Sequence, residues 1–537
     1  MQKQKANNIA DVMRGSFNIS STLLIDGVLV GVAAGCIAIA YRICLSEGER
    51  LTQDFLLFIS NNYIFIFAWF AAIILLGLFI GRLLKWEPMI AGSGVPQITG
   101  EMKGYFHHNW LKVLLSKFLA GVLCILGGLS LGRGGPLVQL GSMAGIGIGK
   151  GLKRDKTEEK YLIACGASAG LAAAFNAPLA GVMFSIELMH KSFSKAILVS
   201  VMVASLTADF VSKNVFGFSP IFQFHINNQL TLQNYWLVIL LGIILGALGA
   251  IYNKVTLYTQ KLYGKMTFLK PQYRIVIPFL AAGILGIALP QVLGGGGIMI
   301  GLLEKSDLAI TTLFIFLIFK FIFSIFCSSS GAPGGIFFPL LVIGAYIGAI
   351  YGKIVIGMFG LDPLLIDNFI IIAMAGYFSA IVRAPITGII LTAEMTGSFS
   401  YMLSLGTVSI IAYFVAYLLK SNSLFESLLN NMPKSLRNED QKNVVGKMLT
   451  EIVVHQGAFA VSKKISEIKW PQNCLLVSIR RDGNEIIPKG DTEVFACDTI
   501  VALVNIEEFE NVSERLHNIC EEKNFSDSYE QGHFRPN

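Results

Sequence analysis

The chain has 537 residues, of which 54% are hydrophobic and only 14% charged, and its mean hydropathy is +0.62. A soluble protein of this length would carry about a quarter charged residues, so the composition excludes an ordinary soluble enzyme and points to an integral membrane protein. The net charge of +7 is accounted for by lysines and arginines flanking apolar runs and calls for no nucleic-acid partner.

Residues 1–20 are polar and lack the short apolar core and small-residue cleavage site of a secretory signal. Lys3, Lys5 and Arg14 precede the first apolar run, which predicts a cytoplasmic N-terminal segment. Residues 21–430 carry apolar runs long enough to span roughly 30 Å of hydrocarbon. Their cores include Ile64–Ile80, Val113–Leu131, Trp236–Ile251, Ile275–Leu289, Leu313–Phe326 and Phe369–Ala380. Apolar density falls after Leu429. Residues 431–443 read as a polar linker, and 444–525 as a small α+β cytoplasmic domain, followed by a polar tail over 526–537. Within that domain Glu451–Phe459, Asn473–Ile479 and Thr499–Val504 are strand-like, and Glu507–Cys520 has helical apolar spacing. The eight cysteines form no CxxC and sit mostly in apolar runs, so they are expected as buried small hydrophobes, with no metal or disulfide role.

The membrane region repeats itself. NAPLAGVMFSIE (Asn176–Glu187) matches RAPITGIILTAE (Arg383–Glu394) at an offset of 207, and PLVQLGSMAG (Pro136–Gly145) matches PLLVIGAYIG (Pro339–Gly348) at 203. Two matches in the same order define two repeat halves, about 21–215 and 230–430. Transporter folds often build a substrate site where such halves meet. Sequence alone leaves their relative orientation open.

Three Gly/Pro segments interrupt the apolar runs: Gly92–Pro96, Gly132–Pro136 and Gly331–Pro339. Irregular backbone at membrane depth survives only where it lines a cavity or is buried in protein. Each segment ends in Pro, which suits the first turn of a helix. A helix N-terminus presents unpaired N–H groups and about half a positive charge, and several converging in the membrane make an anion site. Ser93 adds a hydroxyl donor, and Ile336 and Phe337 add amides. The scarcity of acids in the membrane region disfavours a cation path. No paired carboxylates, metal-ligand spacing or nucleophile–base set suggests an enzyme.

GSGVP, GRGGPLVQ, AAFNAPLAGVMFSIE and GAPGGIFFP, in this order, resemble the signature segments of the CLC chloride channels and chloride–proton antiporters. The resemblance covers residues 20–430. It implies an all-α polytopic membrane fold with an inverted repeat and broken helices, and a homodimer with one anion pathway per subunit. It also implies a bound chloride and no other cofactor, at a site formed by Ser93, amides from Gly134 and Gly135 onward, Ile336, Phe337 and a position near Phe425. Three positions depart from the family pattern. Gly134 stands where most members carry the gating, proton-accepting Glu. Leu188 stands where antiporters carry an inner proton Glu. Phe425 stands where many members place a Tyr hydroxyl. Glu187 and its repeat partner Glu394 are expected in a shared structural role, Arg133 as a brace or an attractor of anions, and His107 and His108 in a solvated loop. The stretch NCLLVSIRRDGNEIIPKGDTEVFACDTIVAL resembles TrkA-C (RCK C-terminal) domains, which implies a regulatory module that takes a small ligand.

The reading favoured by Gly134 and Leu188 is passive transport of chloride or a similar anion, uncoupled from protons, in a bacterial inner membrane with both termini cytoplasmic. The alternatives are an anion–proton antiporter, a transporter selective for fluoride, bromide or nitrate, and a ligand-sensing protein with a vestigial pore.

Overall fold

A backbone in hydrocarbon has only itself to bond to, so spanning segments become helices. The computed structural model describes residues 2–190, 195–224, 230–266, 269–305, 307–433, 447–471, 474–481, 484–505 and 509–521. Among these residues, seven helices are long and apolar enough to cross a membrane. The chain divides into two units, Met1–Leu436 and Arg437–Asn537.

The first half of the larger unit holds α1 (Gln2–Asn61), α2 (Ile66–Trp86), α3 (Val95–Met102), α4 (Trp110–Leu126), α5 (Gly134–Gly151), α6 (Lys156–Phe175), α7 (Pro178–Phe184) and α8 (Lys195–Phe216). The second half holds α9 (Tyr235–Lys265), α10 (Val276–Ala288), α11 (Gly297–Lys305), α12 (Ile310–Ser329), α13 (Phe337–Phe359), α14 (Ile366–Val382), α15 (Pro385–Thr396) and α16 (Met402–Leu418), and α17 (Leu424–Asn430) follows. The two sets of eight correspond one to one in chain order, down to short 3-10 turns at Pro88–Ile90 and Pro290–Val292.

The repeat is inverted. α1 crosses from the face where the chain enters, the near face, to the far face. α8 packs alongside it in the same direction, with Gly27 against Ser200, Gly31 against Ala204 and Gly35 against Ala208. α8 therefore ends on the far face, where α9, the equivalent of α1, begins. The halves join at Gly132 and Gly335, repeat equivalents that bond reciprocally: Gly132 N donates to Gly335 O at 2.6 Å and Gly335 N to Gly132 O at 2.8 Å. Lipid supplies no hydrophobic drive between helices, so close packing of small residues does that work. In α5, a Cβ on Gly141 or Gly145 would collide with the backbone carbonyls of Gly166 and Leu162 on α6.

The second unit is a four-stranded antiparallel sheet with one helix. Strands β1 (Lys447–Val453), β2 (Cys474–Arg481), β3 (Asn484–Ile486) and β4 (Thr499–Asn505) lie in the order β1-β4-β2-β3. α18 (Phe509–Glu521) packs on β1 and β4, burying Leu516 and Ile519 with Ile452, Ile479, Ile500 and Val504. The first strand ends earlier than Glu451–Phe459 suggests, because a turn with Gly457 at φ 88° redirects the chain after Val453. The expected linker lies outside the described residues from 434 onward, as does the whole of 526–537.

Two expectations need correction. Cys124, Cys165, Cys327 and Cys520 are buried, but Cys36 and Cys497 are exposed and Cys44 and Cys474 half-buried; all eight are free thiols. Cys36 sits on the outer side of α1, where a lipid-facing apolar run demands no burial in protein. His107 is exposed, but His108 is buried against the Glu101 carboxylate, because Phe106 tucks under Gly100 and draws the loop inward.

Candidate functional site

Three chain breaks meet in the middle of the larger unit. The Gly92–Pro96 segment turns through Gly94 at φ 90°, a conformation suited to glycine, and opens α3 with Pro96 in its first turn. Gly132–Pro136 opens α5 with Arg133 as its N-cap residue, and Gly334–Pro339 opens α13 with Ile336 as its N-cap residue. Backbone bonds tie the breaks together. Gly92 N donates to Gly331 O and Gly334 N to Gly92 O, both at 3.0 Å. Gly135 approaches so closely that a Cβ on it would meet Ser93 O at 2.8 Å and the Gly335 Cα at 3.1 Å. The N-termini of α3, α5 and α13 thus converge on one another, each contributing unpaired amides and the positive end of a dipole.

Ser93 is 6% exposed, and its hydroxyl is buried with no hydrogen-bond partner among the described residues. An unmet buried hydroxyl costs about 1–3 kcal/mol, a cost that an anion accepting its hydrogen bond would remove. Ser93 and Ile336 line a cavity of about 290 Å³ on the near face, with Gln97, Gln260, Leu424 and Leu428. Phe425 and Leu188 line a separate cavity of about 260 Å³, with Lys103, Glu187, Arg383 and Glu426. Sequence reasoning grouped Phe425 with Ser93 in one site. Its ring lies 5.5 Å from that of Phe337 and lines this second cavity.

Toward the far face the space beyond the converging helix starts is packed with rings. A Cβ on Gly134 would meet Phe175 Cε2 at 2.7 Å and Phe337 Cδ2 at 3.1 Å. Phe175 stacks on Phe338 with centroids 6.4 Å apart, and Phe338 meets Phe222 at 5.8 Å. The Arg133 guanidinium sits over both Phe175 and Phe338, at 5.7 and 5.8 Å, and its buried Nε has no partner among the described residues.

Glu187 and Glu394 act on each other's half. Glu187 accepts from Ile386 N (3.2 Å), Thr387 N (2.8 Å) and Thr387 Oγ1 (2.7 Å) at the start of α15. Glu394 accepts from Leu179 N (3.0 Å) and Ala180 N (2.8 Å) at the start of α7. Each carboxylate caps the short Pro-initiated helix of the opposite repeat, satisfying amides that have no intrahelical acceptor.

Sequence reasoning did not find Phe175, Phe222, Lys117 or Lys320. The lysines left a signal: each is a lone charge inside an apolar run, and they are separated by the repeat offset of 203. Both are fully buried. Lys117 Nζ donates to Ile90 O (2.8 Å) and Gly92 O (2.6 Å), and Lys320 Nζ to Val292 O (2.9 Å) and Gly294 O (2.8 Å). Lys117 thereby anchors the loop that carries Ser93.

A membrane-embedded inverted repeat with helix N-termini converging at its centre defines a transport protein fold. Residues 76–417 match the voltage gated chloride channel family and residues 449–517 the TrkA-C domain. The chain belongs to the voltage gated chloride channel (CLC) family and carries a C-terminal TrkA-C domain. It is 32% identical over 444 residues to the H(+)/Cl(-) exchange transporter ClcA of Vibrio parahaemolyticus, covering 80% of this chain and 94% of that one. Its identity to ClcA of Salmonella paratyphi B is 30% over 421 residues, covering 76% and 88%. Among solved structures, it matches a slow cyanobacterial Cl−/H+ antiporter with a TM-score of 0.73 and 26% identity, over 77% of this chain and 98% of that one. A CLC-type fluoride/proton antiporter shares the fold, with a TM-score of 0.63 at 21% identity over 75% and 97%.

Proposed function

We propose that this chain carries chloride, or an anion of similar size and charge, passively across the membrane through the site at Ser93, without obligatory proton exchange. The observation that carries this reading is Gly134: it has no carboxylate, and the space beside it is filled by Phe175 and Phe337. Leu188, in the separate cavity that it lines with Phe425, likewise offers no proton acceptor. Ser93 with the amides of Gly134, Gly135, Ile336 and Phe337 would hold the dehydrated ion, and the ring cluster of Phe175, Phe222 and Phe338 would limit its passage. Arg133 would draw anions toward that cluster. The site lies within one chain, and assembly is read as a homodimer. Lys3, Lys5 and Arg14, together with the bacterial relatives, support a reading with cytoplasmic termini in a bacterial inner membrane. The TrkA-C domain would regulate flux by binding a small ligand.

The names of the relatives favour a second reading, chloride–proton exchange. Chloride efflux from proteoliposomes, recorded together with pH, separates the two. Efflux without proton movement supports the passive reading. A fixed proton-to-chloride ratio rejects it and turns attention to Glu187 and Glu426, the carboxylates lining the cavity at Leu188.

A further inference from the structure

The pseudo-two-fold axis carries the Ser93 loop onto a second loop at the far face. Residues Gly92–Pro96 correspond to Gly294–Ile298, and α3 corresponds to α11. The two loops share one hydrogen-bonding frame. Lys117 clamps the carbonyls of Ile90 and Gly92, and Lys320 clamps those of Val292 and Gly294. Gly92 N donates to Gly331 O at 3.0 Å, and Gly294 N donates to Gly128 O, the equivalent carbonyl, at 3.2 Å. Gly94 faces Gln139, and Gly296 faces the equivalent residue Val342. Each loop thus holds a buried ammonium behind amides at the start of a helix, a plan suited to an anion.

The two loops differ in what sits on them. At Ser93 the hydroxyl has no partner among the described residues. At its equivalent, Gly295, the amide donates to Glu49 Oε1 at 3.1 Å, and the carboxylate also lies against Gly294. Glu49 comes from α1, lines a cavity of about 20 Å³ with Thr52, Gly294 and Gly296, and acts electrostatically on both Lys320 and Arg133. Gly295 also lies beside Phe338, so the carboxylate is one residue's breadth from the ring cluster.

We propose that the Gly294–Gly297 loop is a second anion site, at the far-face mouth, and that it is filled by the chain's own Glu49 carboxylate. An anion approaching Arg133 from the far face displaces Glu49 from Gly295, so Glu49 sets the affinity and rate of entry on that side. This deepens the transport reading above and rests on it for the role of Arg133.

The test uses the full-length protein, with chloride titrated calorimetrically and efflux measured from proteoliposomes. Glu49→Ala vacates the loop and should bind one more chloride per subunit than the wild type. Glu49→Gln keeps the shape, loses the charge-assisted bond, and should speed efflux by about tenfold. Unchanged stoichiometry in a folded E49A, or, where E49A fails to fold, unchanged efflux in E49Q, overturns the proposal. A wild type that neither binds nor conducts chloride sinks the transport reading instead. An extra anion in E49A would still support the loop as a site in that case.

Discussion

Phe338 offers the sharpest test of how the far-face route is closed. Its ring is 9% exposed, stacks on Phe175, tilts against Phe222 and lies under Arg133. On the proposed route from Ser93 to the far face, an ion would need this ring to swing aside. Doing so gives up two aromatic pairs, worth roughly 0.5–1.5 kcal/mol each, and one partly shielded cation–π contact of about 0.5–1 kcal/mol. Rings that move re-form part of these contacts, which leaves a barrier contribution of about 2 kcal/mol, equivalent to about thirtyfold in rate. Phe338→Ala should therefore raise initial chloride efflux by about thirtyfold at matched protein density. It should also lower thermal stability, since Phe→Ala in a core costs about 3–5 kcal/mol. The assay is efflux from proteoliposomes with a chloride electrode, paired with a melting curve in detergent. Efflux at or below the wild-type rate from a folded F338A refutes the ring cluster as the barrier.

Other consequences follow from the same geometry. Ser93→Ala removes the unmet hydroxyl and should weaken chloride binding about fivefold, the worth of roughly one hydrogen bond; calorimetry reads this directly, and unchanged affinity would place the ion elsewhere. Gly134→Glu must displace Phe175 and Phe337, so it should slow efflux without creating proton coupling, because Leu188 still offers no inner acceptor; a pH electrode showing coupled protons would contradict this. Glu187→Ala and Glu394→Ala each orphan amides at the start of a short helix and should each cost about 2 kcal/mol, read as similar drops in melting temperature. A large difference between the two would argue against equivalent roles. Removing the residues after Leu429 should change efflux if the TrkA-C domain regulates it, and equal efflux at matched density would dismiss the domain as a regulator.

Much of the fold was legible in the chain because hydrocarbon enforces simple rules. Apolar runs such as Leu313–Phe326 had to become helices, and Pro after a Gly cluster had to mark a helix start, because unpaired backbone cannot survive in lipid. The two repeat offsets fixed the pairing of halves, and the same logic extends to Lys117 and Lys320. The direction of the second half was not legible, since it depends on how many segments cross fully and how many, like α3, turn back. Contacts between residues far apart in sequence were hidden as well. Glu187 reaches α15 and Glu394 reaches α7 only because the halves interlock. Phe175 read as an ordinary apolar residue until packing stacked it on Phe338 under Arg133 and filled the space beside Gly134. The burial of His108 depended on Phe106 finding Gly100. The sequence by itself determined that the chain spans a membrane, repeats, and breaks its helices at glycine and proline, because those properties follow from local composition and backbone chemistry. Only the tertiary structure decided which breaks meet, which amides remain open, and which carboxylate lies at each helix start, because those depend on distances between segments that composition does not encode.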